Sequence, residues 1–278
     1  MKNILKIMLM MIAIFTIAGS AVYAAEIPVS DQDQLITSSD WTEISNLQDE
    51  MKKEEPDATI DYDKALKVYV DCNLIKLQTA DTKKLTSALE SANYVWVIPF
   101  KMEKTYGMFT VAKGLPLSEE AKSVLTKAEQ EEVKNHAGKW MITETAEHTV
   151  EPYYDTLLEK RETLSDCTRV VLVGSQPGMR QPVALGMDDE TARIWISLGY
   201  QYPVMEKIPE TQNVESGVYS FESVAEISDT YIEDSEISTG AGVQSRSSMK
   251  YVAGIGIIVI GSILILSVLK KKKLEDYE

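Results

Sequence analysis

The amino-acid sequence predicts an α+β domain, in which a mixed or antiparallel sheet carries helices on one face, followed by one C-terminal transmembrane helix. Strand and helix patterns alternate between residues 40 and 203, beginning with a half-buried strand at 65–74. The order strand, helix, strand, strand occurs near 65–113 and again near 140–187, which suggests two β-α-β-β units. An uncharged apolar run at 251–269 supplies the transmembrane helix.

The first elements follow from local hydrophobic patterns. Residues 25–39 are polar and unpatterned, which predicts a flexible segment. A helix is expected over 40–53, because Asp40 and Glu43 match a capping box and the apolar residues that follow fall on one face. Residues 65–74 alternate between apolar and polar side chains, so the strand there should bury one side only.

The rest of the predicted extracytoplasmic domain, which spans 40–203, alternates between helices and strands. We expect helices over 81–92, 117–136 and 152–164, and strands over 93–102, 105–113, 140–150, 168–174, 181–186 and 191–198. The four tryptophans fall in these elements and are expected to belong to the core rather than to a carbohydrate platform: Trp41, Trp96, Trp140 and Trp195.

Residues 204–250 have the composition of an acidic stalk. No Lys or Arg occurs between 208 and 245, whereas eight acidic residues lie there, and the end of the segment is rich in Ser and Gly. Such a chain buries little apolar surface to offset the entropy of ordering it. A few hydrophobic residues between 218 and 232 leave open the alternative that its first part docks on the domain.

The apolar run at 251–269 has the length of a membrane span. Its nineteen residues would form a helix close to the ~30 Å thickness of a hydrocarbon core. Four consecutive lysines follow at once, Lys270, Lys271, Lys272 and Lys273. Basic residues at a membrane interface favour the cytoplasmic side, so residues 270–278 should form a short cytoplasmic tail.

Residues 1–24 have the features of a secretory signal peptide. Lys2 and Lys6 precede an apolar run at 7–18, and small residues then lead to a cleavage site after Ala24. Removal of this peptide would leave a type I single-pass protein with its folded domain outside the cell. An uncleaved second span is the alternative.

The net charge bears on partners and setting. The chain carries 43 acidic and 28 basic residues, for a formal net charge of −15. A field of this sign opposes nucleic acid, which is bound by neutralising its phosphates with Lys and Arg, so no nucleic-acid partner is expected. The chain also lacks Asn-x-Ser/Thr sites for glycosylation, and a bacterial cell envelope is the preferred setting.

Cysteine and histidine are the residues that could support chemistry. Cys72 and Cys167 could pair as a disulfide or remain free, and Cys72 falls on the apolar side of its strand. With His136 and His148 they lack the local ligand pairs of zinc sites. A Cys-His hydrolase would need an activated thiol, for which neither sequence context provides a cause. We therefore predict no catalytic residue, no metal and no cofactor.

These observations favour a non-catalytic envelope protein that binds or senses a ligand or another envelope protein. An envelope hydrolase acting on wall polymer or peptide is the alternative, and a structural spacer is the third possibility. The predicted partners are the membrane, through the C-terminal helix, and an unidentified envelope protein or ligand. The sequence contains no feature that names the ligand.

Overall fold

The computed structural model describes residues 27–148, 150–174, 176–179, 181–200 and 202–228. The predicted signal peptide, transmembrane helix and tail with Lys270–Lys273 lie outside these ranges. Within them, no helix has both the length and the apolar character needed to cross a membrane.

Ten strands form one sheet in the described part of the chain. In chain order they are β1 Thr59–Ile60, β2 Leu66–Tyr69, β3 Tyr94–Lys101, β4 Tyr106–Lys113, β5 Trp140–His148, β6 Arg169–Val173, β7 Val183–Met187, β8 Ala192–Ser197, β9 Asn213–Glu215 and β10 Val218–Ser220. Their spatial order is β5-β4-β3-β2-β6-β7-β8-β10-β9, and β1 pairs with the far end of β3. Neighbours are antiparallel except β2 and β6, which are parallel at the centre. The predicted mixed sheet is confirmed.

Among the described residues, six α-helices connect or cover these strands, and residues 221–228 are also helical. The six are α1 Trp41–Ile44, α2 Gln48–Glu54, α3 Thr82–Glu90, α4 Glu119–Val124, α5 Lys127–His136 and α6 Tyr153–Glu159. The single helix predicted over 117–136 is wrong, because the chain becomes extended at Leu125 and Thr126. Thr126 then opens α5 through a capping box with Glu129.

Helices cover both faces of the sheet, and the prediction of one covered face is wrong. The first face, which carries Val171, packs against Leu85 of α3 and against residues 221–228. The second face, which carries Val170, packs against Leu157 of α6. Because the central strand β6 is apolar on both sides, each side needs its own cover.

The two successions of strand, helix, strand and strand are not equivalent in space. In the first, β2 and β3 are paired neighbours. In the second, β5 pairs with β4 at one edge, whereas β6 lies at the centre between β2 and β7. The order along the chain therefore recurs without a matching arrangement in the sheet.

The N-terminal segment belongs to the packed domain, which begins before the predicted boundary at residue 40. Ile27 is buried on the second face, and Leu35 is buried on the first face beneath α1 and α2. Between them Gln34 bridges to Leu66 at the start of β2. Residues 27–39 therefore wrap around one end of the sheet instead of forming the flexible segment expected there.

The C-terminal boundary also differs from the predicted one at residue 203. Residues 204–228 add β9 and β10 to the sheet and contribute buried side chains to the first face. Phe221 stacks on Trp195, with ring centroids 5.8 Å apart and an angle of 14° between the rings. The scattered hydrophobic residues of this acidic segment converge on one side, so its first part docks on the domain. The remainder of the predicted stalk, 229–250, lies outside the described residues.

Candidate functional site

The two cysteines are free and buried on opposite faces of the sheet. Cys72 belongs to the core of the first face and Cys167 to that of the second, so the structure does not join them in a disulfide. Burial raises the pKa of the Cys72 thiol to about 12 and that of the Cys167 thiol to about 11. Neither thiol is prepared to act as a nucleophile.

The histidines do not face the thiols. His136 is exposed in the last turn of α5. His148 is half-buried at the end of β5, where its Nδ1 lies 3.0 Å from the hydroxyl of Tyr200, which is 3.5 Å from the hydroxyl of Tyr153. Burial lowers the pKa of His148, and nearby Glu144 opposes that shift. No group of three or more His, Cys, Asp or Glu side chains among the described residues could hold a metal ion.

A charged cluster lies on the first face and centres on the buried carboxylate of Asp33. Arg169 on β6 donates to this carboxylate from Nη2 at 2.8 Å, and the hydroxyl of Tyr69 on β2 donates to it at 2.8 Å. Lys67 Nζ lies 4.0 Å away, with its side chain only 10% exposed. Asp33 thereby ties the N-terminal segment to the two parallel strands at the centre of the sheet.

Aromatic rings surround the amine of Lys67. Its Nζ lies 4.4 Å from the ring centroid of Tyr94 and 5.2 Å from that of Trp96. Burial lowers the pKa of Lys67, while the carboxylates of Asp33 and Asp40 act in the opposite direction. Such cation–π contacts hold a desolvated ammonium in place.

Asp40 fixes the same rings and does not cap the helix as predicted. Its Oδ2 accepts hydrogen bonds from the hydroxyl of Tyr94 at 2.9 Å and from Nε1 of Trp96 at 3.0 Å. The residue has helical backbone angles and no capping hydrogen bond. Sequence reasoning missed this cluster because it treated Lys67 as the exposed side of a half-buried strand. The aromatic Tyr69 on that same side was the available signal.

The charged cluster has the character of a clamp. Each carboxylate accepts at least two hydrogen bonds, and each cation has a carboxylate or an aromatic ring within contact distance. These charged groups are largely buried and are engaged with one another. The cluster instead positions Tyr94, whose ring also borders an open cavity.

We call this cavity the end groove. It lies where β3, β4 and β5 meet the two ends of residues 115–137, which contain α4 and α5 and which we call the α4–α5 excursion. Its volume is about 440 Å³. Its lining residues are Ala92, Asn93, Tyr94, Lys113, Gly114, Leu115, Pro116, Ala137, Gly138 and Trp140. Apolar and aromatic side chains therefore make most of its surface, with one amine and one amide.

Two aromatic rings in contact with each other form the base of the end groove. The ring centroids of Tyr94 and Trp140 are 5.9 Å apart, and Lys113 Nζ lies 5.5 Å from the Trp140 ring. Nε1 of Trp140 is buried without a hydrogen-bond partner among the described residues. Leu115 is 42% exposed at the rim. The groove thus combines a rigid aromatic base with an exposed apolar rim, as ligand sites commonly do.

The backbone closes the base of the excursion tightly. Gly114 N–H donates to the carbonyl of Lys139, and Gly138 N–H donates to the carbonyl of Gly114. A Cβ on Gly114 would lie 2.1 Å from the carbonyl oxygen of His136, so only glycine fits there. This contact fixes the wall of the end groove.

The excursion itself, residues 115–137, packs little of its surface. None of the residues of α5 is buried, and Val124 at the end of α4 is 68% exposed. The apolar side predicted for this helical stretch therefore does not join the core. It stands out from the sheet next to the end groove.

Comparisons with known proteins identified no similar protein. No significant match was found among protein-family models, curated proteins or solved structures.

Proposed function

We propose that this chain is a membrane-anchored, extracytoplasmic protein of a bacterial cell envelope, and that its folded domain binds a partner or ligand without transforming it. The N-terminal signal pattern, the apolar run at 251–269 and the lysines that follow it support the anchored arrangement. The end groove is the proposed binding site.

The side chains that line the end groove favour binding over catalysis. Its lining includes no carboxylate, imidazole or thiol. Hydrolysis of a glycoside or peptide bond uses such groups or a serine or threonine hydroxyl, which the lining also lacks. The alternative of an envelope hydrolase acting on wall polymer or peptide therefore has no support from this cavity.

The composition of the groove suits recognition of an apolar or aromatic group. Tyr94 is held in place by Asp40 and Lys67, so its ring is ordered before any ligand arrives. A surface ordered in advance loses little entropy on binding. Lys113 and Asn93 add polar groups that can orient a ligand at the edge of the apolar base.

Site-specific photo-crosslinking of the full chain in cells tests the proposal. A photoreactive residue replaces Leu115 at the rim of the end groove or, as a control, Leu158 on α6, which is similarly exposed at 37%. We expect position 115 to capture a distinct envelope component that position 158 does not. Identical products at both positions, or cleavage of wall polymer or peptide by the purified full chain, would refute the proposal.

A further inference from the structure

The outer edge of β5 is the longest open strand edge in the described part of the chain. β5 has nine residues, Trp140–His148, and pairs with β4 on one side only. No described residue supplies a backbone hydrogen bond to its other side. The register with β4 shifts at Thr143, and on either side of that residue the edge presents N–H and C=O groups to which another extended chain can pair.

The register identifies outward-facing backbone groups at the start of β5. Gly114 N–H donates to the carbonyl of Lys139, so this carbonyl points toward β4. In an antiparallel ladder the pairs alternate, so the N–H and C=O groups of Trp140 and Ile142 point away from β4. Trp140 also lines the end groove, so this edge begins at the proposed binding site.

The charges on β5 select the kind of chain that can pair with it. Glu144 and Glu147 are both exposed. Glu144 pairs with Thr110 and Glu147 with Gly107, so the two side chains project from opposite faces of the sheet. No Lys or Arg occurs in the strand. A second copy of β5 would add further carboxylates and no Lys or Arg to the pair of strands, which disfavours pairing between copies.

We infer that the β5 edge binds an extended peptide segment as an added strand, and that this segment carries two basic residues three positions apart. The spacing follows from the register, because the residues opposite Glu144 and Glu147 are also three apart and lie on opposite faces. One of the two residues between them must donate its N–H to β5 and therefore is not proline, because the N–H groups of an added edge strand point alternately toward the sheet and toward solvent. This inference rests on the proposed function and names its partner class.

Selection from a library of displayed random peptides, each about ten residues long, tests the inference on the purified full chain in detergent micelles. The same selection is run on the double variant Glu144→Lys/Glu147→Lys. A matched control, Glu103→Lys/Glu159→Lys, makes the same change in net charge at exposed glutamates away from β5. We expect the unmodified chain and the control to enrich basic pairs at the stated spacing, and the double variant to lose affinity for them by more than about tenfold.

Hydrogen exchange then locates the bound peptide. An enriched peptide should slow exchange of the backbone amides in 140–148 and leave β9, at the opposite edge, unchanged. Enrichment of neutral or acidic peptides, equal binding to the double variant, or protection of another segment would overturn the inference. If cross-linking at position 115 captures a partner while β5 stays unprotected, the proposed function stands and the inference about the edge fails.

Discussion

At the scale of single residues, Asp33 does more for the fold than its place in a polar N-terminal segment suggests. It is buried, accepts hydrogen bonds from Arg169 and Tyr69, and lies 4.0 Å from the amine of Lys67. The carboxylate of Asp33 neutralises the charges of Lys67 and Arg169, which would otherwise be buried without a counter-ion at this position. Removal of one member of such a group costs more than the net value of the pair, because the partner charges stay desolvated.

Asp33→Asn should therefore lower the free energy of unfolding by about 3 kcal/mol. The exposed Asp31 in the same short turn provides a matched control, and Asp31→Asn should change stability by less than about 0.5 kcal/mol. Urea denaturation of the full chain in detergent, followed by tryptophan fluorescence, measures both. Equal effects of the two substitutions would contradict the role of Asp33 as a clamp.

The thiols provide a second prediction at this scale. Because burial raises the pKa of Cys72 from 9.0 to about 12 and that of Cys167 to about 11, both should resist iodoacetamide at about pH 8 until the protein is denatured. Each thiol keeps its proton in the folded state at pH values where the unfolded chain loses it. Their contribution to stability is thus present below about pH 9 and falls as the pH rises toward 12. Rapid alkylation of either cysteine in the native protein would be incompatible with this placement.

At the scale of elements, strands were more predictable than helix ends. Alternation located β2, but the predicted span of 65–74 and single buried side are wrong, because β2 ends at Tyr69 and buries side chains on both sides. Continuous apolar character identified β3 and β6, because that pattern depends on neighbouring residues alone. The role of Asp40 was not predictable, since its carboxylate is used by Tyr94 and Trp96 from a strand more than fifty residues away. The end groove was missed for the same reason, because its wall comes from three separated segments.

The contact between Gly114 and His136 predicts the behaviour of the α4–α5 excursion. Gly114→Ala would place a methyl group 2.1 Å from the carbonyl oxygen of His136 and should destabilise the domain by about 1–3 kcal/mol. Gly174→Ala is the control, since its added methyl group would lie 3.7 Å from the nearest atom. Limited proteolysis should cut residues 115–137 faster in the first variant only. An unchanged cleavage rate would show that this contact does not hold the excursion in place.

At the scale of the whole molecule, one sheet and its covering elements include segments that the sequence analysis assigned to a flexible N-terminal segment and to an acidic stalk. The parallel pair β2 and β6 joins a half built from β1 to β5 and a half built from β6 to β10. Residues 27–39 and 204–228 then cover its faces and its far edge. The hydrophobic residues at 218–232 indicated docking of the second segment only as an alternative, because the acidic composition around them is typical of a stalk. The tertiary packing places both segments in the domain.

These boundaries predict the pattern of limited proteolysis. The first cuts in the C-terminal half of the full chain should fall between 229 and 250, because residues 218–224 bury Val218, Phe221 and Val224 in the domain. Mass spectrometry of the earliest fragments locates the cuts. Initial cleavage between 204 and 224 would instead show that those residues belong to an unpacked stalk.

Labelling of intact cells with a membrane-impermeant maleimide tests most directly whether the folded domain lies outside the cell on a single membrane span. Val124→Cys places a thiol at a position that is 68% exposed on α4, and Tyr277→Cys places one in the C-terminal tail, while the native cysteines are buried. We expect labelling at position 124 in intact cells and labelling at position 277 only after the cells are opened. Labelling of the tail from outside, or protection of position 124 until lysis, would contradict it.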